Sequence, residues 1–374
     1  MSTFHPTTTT YKQGARTLEG SYYTSNDIFD KEQERIFAKG WNCVGRVSQL
    51  VKPGDYFLAT IAHESLIIVR DSKGEIRALF NVCRHRGTRM CEAANGHFVK
   101  NIQCAYHAWT YDTGGNLVAA PHMYEVKNFN KDSFCLFQAQ VALWEGFIFV
   151  NIDKKPQKFE KVWKPMIGRL LRFKLADLVV HHKVVYDVPA NWKLIFQNYN
   201  ECLHCPTMHP ELSLVLPYKS GANDLVKGPF LGGYMEITEP NESATMNGRA
   251  CGRIISNEIP KSDRRHAYYY SLMPNLLLSI HPDYANYYLI HPIDVNHTRV
   301  ESEWMFPKET IDNPKNNMKS AIEFWDVTNR QDWGIVERNQ LGVASRRYVP
   351  GPYSPRESIP AAWDREYLAQ IRKS

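Results

Sequence analysis

The sequence predicts a two-domain α+β protein, in which an N-terminal all-β domain precedes a domain that mixes strands and helices. At 374 residues the chain is long enough to bury two hydrophobic cores. From Trp41 to about Asp153, short runs of β-prone residues are separated by turn signals such as Asp71-Ser72-Lys73-Gly74. The basic, proline-containing stretch from Lys154 to Pro165 marks a boundary, and beyond it strands alternate with a few longer helices.

These observations divide the chain into three segments, residues 1–40, 41–155 and 156–374. The first segment has a polar, loose tail, Met1 to Thr10, and an amphipathic helix from Ser25 to Gly40 that packs on the last domain. The third segment ends in a long helix, expected to begin near Pro314 and to end at about Leu341. The β-prone runs of the second segment are Tyr56–Thr60, Leu66–Arg70, Ile76–Val82 and Gly146–Ile152.

Composition excludes several classes of protein. Hydrophobic residues make up 43% and charged residues 22%, and no apolar run is long enough for a membrane helix. The net charge of +6 is too small to indicate nucleic-acid binding. The tail lacks the features of a secretory signal, so we expect a cytoplasmic location. In that reducing compartment the eight cysteines indicate thiols or metal ligands, and the basic run Lys154–Lys164 indicates a solvated linker or a docking site for an acidic partner.

The first candidate metal site lies in the β-rich segment and has the ligand pattern C-x-H followed by C-x-x-H. A 2Fe–2S centre of the Rieske type needs this unequal set, because two thiolates hold one iron and two imidazoles hold the other. A structural zinc site is the alternative, but zinc fingers usually pair C-x-x-C with H-x-x-x-H. The candidate cluster ligands are therefore Cys83, His85, Cys104 and His107.

The second candidate metal site lies in the segment Asn191–Pro210, which contains E-x-x-H-x-x-x-x-H. On a regular helix the imidazoles of His204 and His209 would lie well apart, so we expect a break between them, supplied by Pro206. Cys202 and Cys205 bracket His204 in a C-x-x-C spacing that could indicate zinc or a redox disulfide, although helix packing is the simpler explanation.

A carboxylate from the long C-terminal helix would complete this second site. Two histidines and one carboxylate leave open positions on a ferrous ion for O₂ and substrate. Asp332 lies on the stripe of apolar residues that faces inward, whereas Asp326 falls toward its edge. A buried carboxylate is costly unless it meets a positive charge. Asp332 is thus the stronger candidate.

Both ligand sets, in this order, resemble those of the oxygenase subunits of the Rieske ring-hydroxylating oxygenase family. The resemblance implies a Rieske domain followed by a helix-grip, START-like catalytic domain, whose antiparallel sheet surrounds a long C-terminal helix. The NYxECxHCxxxH run and the QDW segment are most similar to the carnitine and glycine betaine monooxygenase branch. Dioxygenases of the family usually have Asp where this chain has Glu201, and they often carry a small β subunit.

The resemblance also implies how the sites work together. It assigns the 2Fe–2S cluster to the first ligand set and Fe(II) to His204, His209 and Asp332. It further implies a homotrimer in which Glu201 bridges His107 of one subunit to the iron site of the next. An NAD(P)H-dependent reductase of the flavin or ferredoxin type would supply electrons, and O₂ would oxidise a small organic substrate.

The substrate is less well determined by the sequence. Tyr268, Tyr270 and Tyr284 could present aromatic faces to a trimethylammonium group, which favours monooxygenation or N-demethylation of a betaine-like compound. The same residues could line a pocket for an aromatic acid, which would indicate a ring-hydroxylating dioxygenase. An electron carrier would not need the second domain, and a zinc-stabilised binding protein would hold no iron.

Overall fold

The structure is a computed structural model that describes residues 4–373. Their contacts form two compact units. One unit, here called the β unit, is Gln33–Val162. The other, called the α+β unit, contains the chain up to Glu32 together with Trp163 onward. The domain boundaries drawn from the sequence at residues 40 and 155 stay predictions.

The N-terminal residues are more ordered than the sequence predicts. Strand β1, His5–Pro6, pairs with a later strand by placing His5 opposite Asn223, so the expectation of a loose tail is wrong there. Residues 1–3 of that tail lie outside the described residues. The predicted helix Ser25–Gly40 is shorter than expected. After helix α1, Ser21–Thr24, helix α2 spans Asn26–Glu32 and continues as a π-helical turn through Phe37.

The β unit contains a seven-stranded and a three-stranded antiparallel sheet, in the orders β2-β11-β10-β5-β4-β3-β6 and β7-β8-β9. Its helix α3 spans Phe159–Val162. All four predicted β-prone runs form strands. The strands are β2 Asn42–Arg46, β3 Asp55–Ile61, β4 Glu64–Arg70, β5 Ile76–Phe80, β6 Asn95–His97, β7 Asn101–Gln103, β8 Thr110–Asp112, β9 Leu117–Ala119, β10 Gln138–Trp144 and β11 Phe147–Asn151.

The α+β unit is built on an eight-stranded antiparallel sheet, ordered β1-β13-β14-β15-β16-β17-β18-β12. Its strands are β12 Val179–Val188, β13 Ala222–Val226, β14 Phe230–Glu236, β15 His266–Leu272, β16 Leu276–Ile280, β17 Ala285–Asp294 and β18 His297–Phe306. Its helices are α4 Trp192–Tyr199, α5 Cys205–Met208, α6 Pro210–Val215, α7 Lys308–Asp312, α8 Met318–Val343 and α9 Ser358–Ile371. Short 3₁₀ turns occur in both units, at Val47–Gln49, Met123–Glu125, Lys131–Phe134, Leu171–Phe173, Leu175–Asp177, Tyr218–Ser220, Lys261–Arg265 and Pro355–Glu357.

Helix α8 is the predicted long C-terminal helix, but it begins four residues later than Pro314. The side chain of Asn317 caps it by accepting a hydrogen bond from the backbone N–H of Ser320 at 3.3 Å. Gly342 lies within the last turn and does not stop the helix, which ends at Val343. Phe324 and Trp325 of α8 pack in one core cluster with Ala267, Trp304 and Phe306 of the sheet and with Tyr284, which directly precedes β17.

Helix α2 is joined to α4 by a buried ion pair. The Lys193 ammonium donates to a Glu32 carboxylate oxygen at 2.6 Å, and the indole N–H of Trp192 donates to the other oxygen at 2.8 Å. Both Glu32 and Lys193 are fully buried. Because α4 leads directly into the second candidate metal site, this contact helps to position that site.

Two candidate metal centres

Two short loops of the β unit carry the first ligand set. Cys83 and His85 follow β5, and the loop closes where the backbone N–H of Gly87 donates to the carbonyl of Cys83 at 3.0 Å. Cys104 and His107 lie between β7 and β8 in a similar loop, closed by the N–H of Ala108 and the carbonyl of Cys104 at 3.1 Å. Each loop thus presents one thiol and one imidazole.

The four side chains of these loops meet. The Cys83 and Cys104 thiols are buried and in hydrogen-bond contact, and burial is the main reason that the pKa of Cys83 is raised. The imidazole centroids of His85 and His107 are 4.6 Å apart, and the His85 ring stacks on Trp109 at 4.7 Å. Nδ1 of His85 is buried and makes no hydrogen bond with the described residues. A paired set of thiols with an unpartnered imidazole nitrogen fits the ligands of a 2Fe–2S cluster.

The second ligand set lies where α4, α5 and α8 approach one another. Nε2 of His209 lies 2.9 Å from Oδ1 of Asp332, and Nε2 of His204 lies 3.3 Å from the same oxygen. The amide of Asn198, on α4, donates to that oxygen at 3.0 Å. Contrary to the expectation from the sequence, Pro206 does not break a helix between the two histidines. Pro206 lies in the first turn of α5, where its missing N–H is harmless, and the two histidines flank this one-turn helix.

The remaining nitrogens of the two histidines are held by oxygen acceptors. Nδ1 of His204 lies 2.5 Å from a Glu201 carboxylate oxygen, and Nδ1 of His209 lies 2.7 Å from the side-chain oxygen of Gln331. Such contacts orient imidazoles that bind a metal through the other nitrogen. Both Nε2 atoms therefore face Asp332, which is an arrangement that fits two histidines and one carboxylate around iron.

Charge at this site favours a bound cation. Burial lowers the pKa of His204, but hydrogen bonds to Asp332 and Glu201 outweigh it and raise that pKa to about 10. The same balance raises the pKa of His209, with Asp332 and Gln331 as its partners. Burial raises the pKa of Asp332, but its hydrogen bonds with both histidines lower it overall. The two carboxylates thus stabilise positive charge between the imidazoles.

Asp326 takes no part in this site. Its Oδ1 accepts a hydrogen bond from the Tyr186 hydroxyl at 2.7 Å, and its Oδ2 accepts one from Arg330 at 3.0 Å. The structure therefore separates the two carboxylates that the sequence offered as candidates.

The C-x-x-C pair forms a disulfide between Cys202 and Cys205. The expectation that the cysteines are thiols or metal ligands is therefore wrong for this pair, and helix packing alone does not explain it. Cys205 Sγ lies 3.9 Å from Nε2 of His204, so by distance alone His204, Cys205 and His209 could hold a metal ion. Sulfur in a disulfide is no thiolate and is a poor metal ligand, which favours Asp332 over Cys205 as the third ligand.

A cavity of about 140 Å³ opens onto the second site and is lined by His204, His209 and Asp332. Its aromatic lining consists of Tyr199, Tyr218, Tyr234, Tyr269 and Trp325. Asn198, Glu201, Asn223 and Arg356 supply polar groups. Sequence reasoning did not single out Tyr199, Asn198, Asn223 or Arg356. Tyr199 and Asn198 could have been predicted to line the site because they are close to His204 in the chain.

The three tyrosines expected to contact substrate do not line this cavity. Side chains alternate along β15, so Tyr269 faces the cavity while Tyr268 packs against Phe173 with ring centroids 5.2 Å apart. The Tyr270 hydroxyl points to Asp224 at 3.5 Å. Tyr284 is buried behind Trp325, and its hydroxyl accepts the indole N–H at 2.6 Å. On β15 it is therefore Tyr269, and not the predicted Tyr268 or Tyr270, that lines the cavity.

Comparison with known proteins supplies the family. A model of the Rieske 2Fe–2S domain matches residues 40–130, and a model of the ring hydroxylating alpha subunit catalytic domain matches residues 175–372. The chain belongs to the Rieske ring-hydroxylating oxygenase family. The carnitine monooxygenase oxygenase subunit of Escherichia coli K12 is 30% identical over 342 residues, covering 90% of this chain and 86% of that protein. The glycine betaine monooxygenase oxygenase subunit of Pseudomonas aeruginosa PAO1 is 26% identical over 372 residues, with coverage of 90% and 84%.

The solved structures agree with the fold of this Rieske oxygenase. The quaternary ammonium Rieske monooxygenase CntA in complex with L-carnitine matches with a TM-score of 0.79 and 26% identity, covering 96% of both chains. This match confirms the predicted α+β class, a Rieske domain followed by a catalytic domain of helices and antiparallel sheet.

Membership in the Rieske oxygenases makes the protein an oxidoreductase that carries a 2Fe–2S cluster and a mononuclear iron. It also requires a reductase as the source of electrons. A simple electron carrier and a zinc-stabilised binding protein are excluded, because the catalytic domain accompanies the cluster domain. Among residues 4–373, no helix combines the length and apolar character needed to cross a membrane.

Proposed function

We propose that this Rieske oxygenase oxidises a betaine-like quaternary ammonium compound by monooxygenation or N-demethylation. The observation that carries the proposal is the cavity next to His204, His209 and Asp332, with its five aromatic side chains. Aromatic faces attract a trimethylammonium group through cation–π contact. The carboxylate of Glu201 adds negative charge to the lining of the same cavity. Carnitine and glycine betaine are the compounds named for the relatives.

The residues of each centre have separate tasks in this proposal. Cys83, His85, Cys104 and His107 hold the 2Fe–2S cluster, and His204, His209 and Asp332 hold the ferrous ion. When bound, the cluster supplies single electrons and the iron supplies open positions at which O₂ is activated. Gln331 and Glu201 fix the two imidazole rings, and the aromatic lining excludes water and orients the substrate C–H bond.

Glu201 is also proposed to connect neighbouring subunits of a homotrimer. One carboxylate oxygen lies against Nδ1 of His204, and the other accepts the backbone N–H of Leu203. About a seventh of the Glu201 side chain remains exposed, at 14%. Through this exposed part, Glu201 is proposed to accept a further hydrogen bond from His107 of an adjacent subunit. Electrons would then enter from an NAD(P)H-dependent reductase of the flavin or ferredoxin type. A cytoplasmic location stays a prediction from the sequence.

Substrate-dependent oxygen consumption tests the proposal. The purified protein with a matched reductase is supplied with NADH and carnitine, glycine betaine or an aromatic acid, and the products are identified. We expect coupled consumption of NADH and O₂ only with the betaines, with formaldehyde as the product of N-demethylation. Coupled oxidation of aromatic acids alone would overturn the proposal in favour of an aromatic-ring dioxygenase. The aromatic side chains of the cavity could also pack against the ring of such a substrate.

A further inference from the structure

Arg356 is the one lysine or arginine among the described residues that line the cavity of the iron site. It lies on the turn Pro355–Glu357 that precedes α9, with its guanidinium 5.7 Å from the ring centre of Tyr218. The side chain is exposed, lines the cavity and forms no ion pair with an acidic side chain of residues 4–373. A guanidinium beside a substrate cavity is free to pair with an anionic group of a ligand.

Asn223 provides a second, independent indication. This residue of β13 is only 9% exposed, lines the same cavity, and its side-chain Nδ2 has no acceptor among the described residues. A buried donor that lacks a partner is unfavourable, and an acceptor on the ligand removes that cost. The hydroxyl of Tyr269, which also lines the cavity, is likewise buried without a partner. All three groups can donate hydrogen bonds to an oxygen anion.

The N-terminal segment contacts the elements that carry Asn223 and Arg356, both of which line the cavity. Strand β1 pairs with β13 and places His5 opposite Asn223. Thr7, which follows β1 and also lines the cavity, accepts a hydrogen bond at its carbonyl from the hydroxyl of Ser358. Ser358 directly follows the turn that carries Arg356. These contacts tie the strand that carries Asn223 and the turn that carries Arg356 to the same N-terminal segment.

We propose that Arg356 and Asn223 bind the carboxylate of the substrate, so that the substrate class is an ammonium carboxylate and excludes simple cations such as choline. This inference rests on the proposed function and narrows it. The guanidinium forms two parallel hydrogen bonds with a carboxylate, and Asn223 adds a third. The positive charge of Arg356 also repels an ammonium group, which directs that end of the substrate toward the aromatic side chains.

Binding to the metal-loaded protein tests this inference without turnover. Titration calorimetry without reductase compares carnitine, glycine betaine and choline for the wild type, Arg356→Gln, Arg356→Lys and Asn223→Leu. We expect Arg356→Gln to weaken binding of both betaines about tenfold or more, because a charge-assisted pair is lost. The betaine affinity of Arg356→Lys should lie between those of the wild type and Arg356→Gln, since lysine keeps the charge but cannot form two parallel hydrogen bonds. Choline binding should not weaken in either Arg356 variant, because choline has no carboxylate and its ammonium group is repelled by the guanidinium.

Arg347→Gln is the matched control, because Arg347 is exposed on the same C-terminal segment and does not line the cavity. Equal weakening of choline and betaines by Arg356→Gln, or unchanged betaine affinity, would overturn the carboxylate site. If the wild type binds aromatic acids and no betaine, and Arg356→Gln weakens that binding, the carboxylate site stands while the proposed function fails. The two conclusions are therefore separable.

Discussion

Oδ1 of Asp332 lies 2.9 Å from Nε2 of His209, although 123 residues separate the two in the chain. The contact joins the α5–α6 segment to α8 and turns two histidines and one carboxylate into a single donor set. Asp326, which lies on the same helix, faces Tyr186 and Arg330 instead. The distinction between these carboxylates gives a direct test of the iron ligands.

Asp332→Ala should remove the mononuclear iron and leave the cluster in place, because one of three proposed ligands is lost. Iron analysis should fall from about three to about two atoms per chain, and the visible spectrum of the cluster should be unchanged. The matched variant Asp326→Ala should keep all its iron. Iron loss in Asp326→Ala, or loss of the cluster spectrum in Asp332→Ala, would contradict the assignment.

Cys83→Ser should abolish the cluster spectrum and leave the mononuclear iron bound. The two centres lie in separate units, each with its own core. A serine hydroxyl is a much poorer ligand for cluster iron than a thiolate. Cys135→Ser, at a partly exposed free cysteine of the same unit, serves as the control and should keep the spectrum. A cluster that survives Cys83→Ser would show that another residue is the ligand.

Glu201→Gln should lower turnover by about 10- to 100-fold while both metals stay bound, because the hydrogen bond to Nδ1 of His204 loses its charge. Stopped-flow spectra should show normal reduction of the cluster by the reductase and slowed reoxidation with O₂ and substrate. Glu211→Gln, an exposed acid on α6, should leave both rates unchanged. Slowed cluster reduction would place Glu201 on the reductase side instead.

Mixed oligomers test whether electrons cross between subunits. Under the proposal Cys83→Ser removes the cluster, whereas Glu201→Gln leaves both metals bound and impairs electron transfer to the iron. If Glu201 acts across a subunit interface, assemblies that contain both variants should recover part of the wild-type turnover. If mixing is confirmed and turnover does not recover, the inter-subunit route is ruled out, together with the trimer that was proposed for it.

Glu32→Ala should destabilise the α+β unit by about 3–5 kcal/mol, because the Lys193 ammonium would stay buried without its partner. Burial already lowers the pKa of Lys193, against the opposing effect of Glu32. Chemical denaturation followed by tryptophan fluorescence measures the change, with the exposed Glu19→Ala as control. A loss below about 1 kcal/mol would mean that water reaches the lysine and that the ion pair is not needed.

The stability of the protein should fall in mild acid partly through His281. Burial lowers the pKa of this histidine to about 3, whereas an unfolded histidine titrates near 6.5. The unfolded chain therefore binds an extra proton between these values, and the free energy of unfolding falls by about 2 kcal/mol from pH 7.5 to pH 5. His281→Phe keeps the stacking on Tyr284, and its stability should decline less over that range. If the free energy of unfolding falls equally in the wild type and in His281→Phe, His281 is not the cause of the acid sensitivity.

The spacing of residues that are close in the sequence was sufficient to predict much of the fold and of the two candidate metal sites. The two unequal Cys–His pairs, the pair His204 and His209, and the β-rich first domain all depend on residues that are close in the chain. Their chemistry follows from residue type and separation, because a ligand loop or a short strand is a local structure. The side of α8 that faces the core could also be predicted, since helical periodicity places Asp332 on the same face as apolar residues.

Tertiary structure alone decided the rest. Alternation along β15 shows that Tyr268 and Tyr269 face opposite sides, but only the pairing and packing of the sheet show which side is the cavity. The same is true of Asn223 and Arg356, which are distant in the chain and line the same cavity. Residues distant in the chain meet only when long-range contacts form, and a single sequence contains no local signal for such contacts.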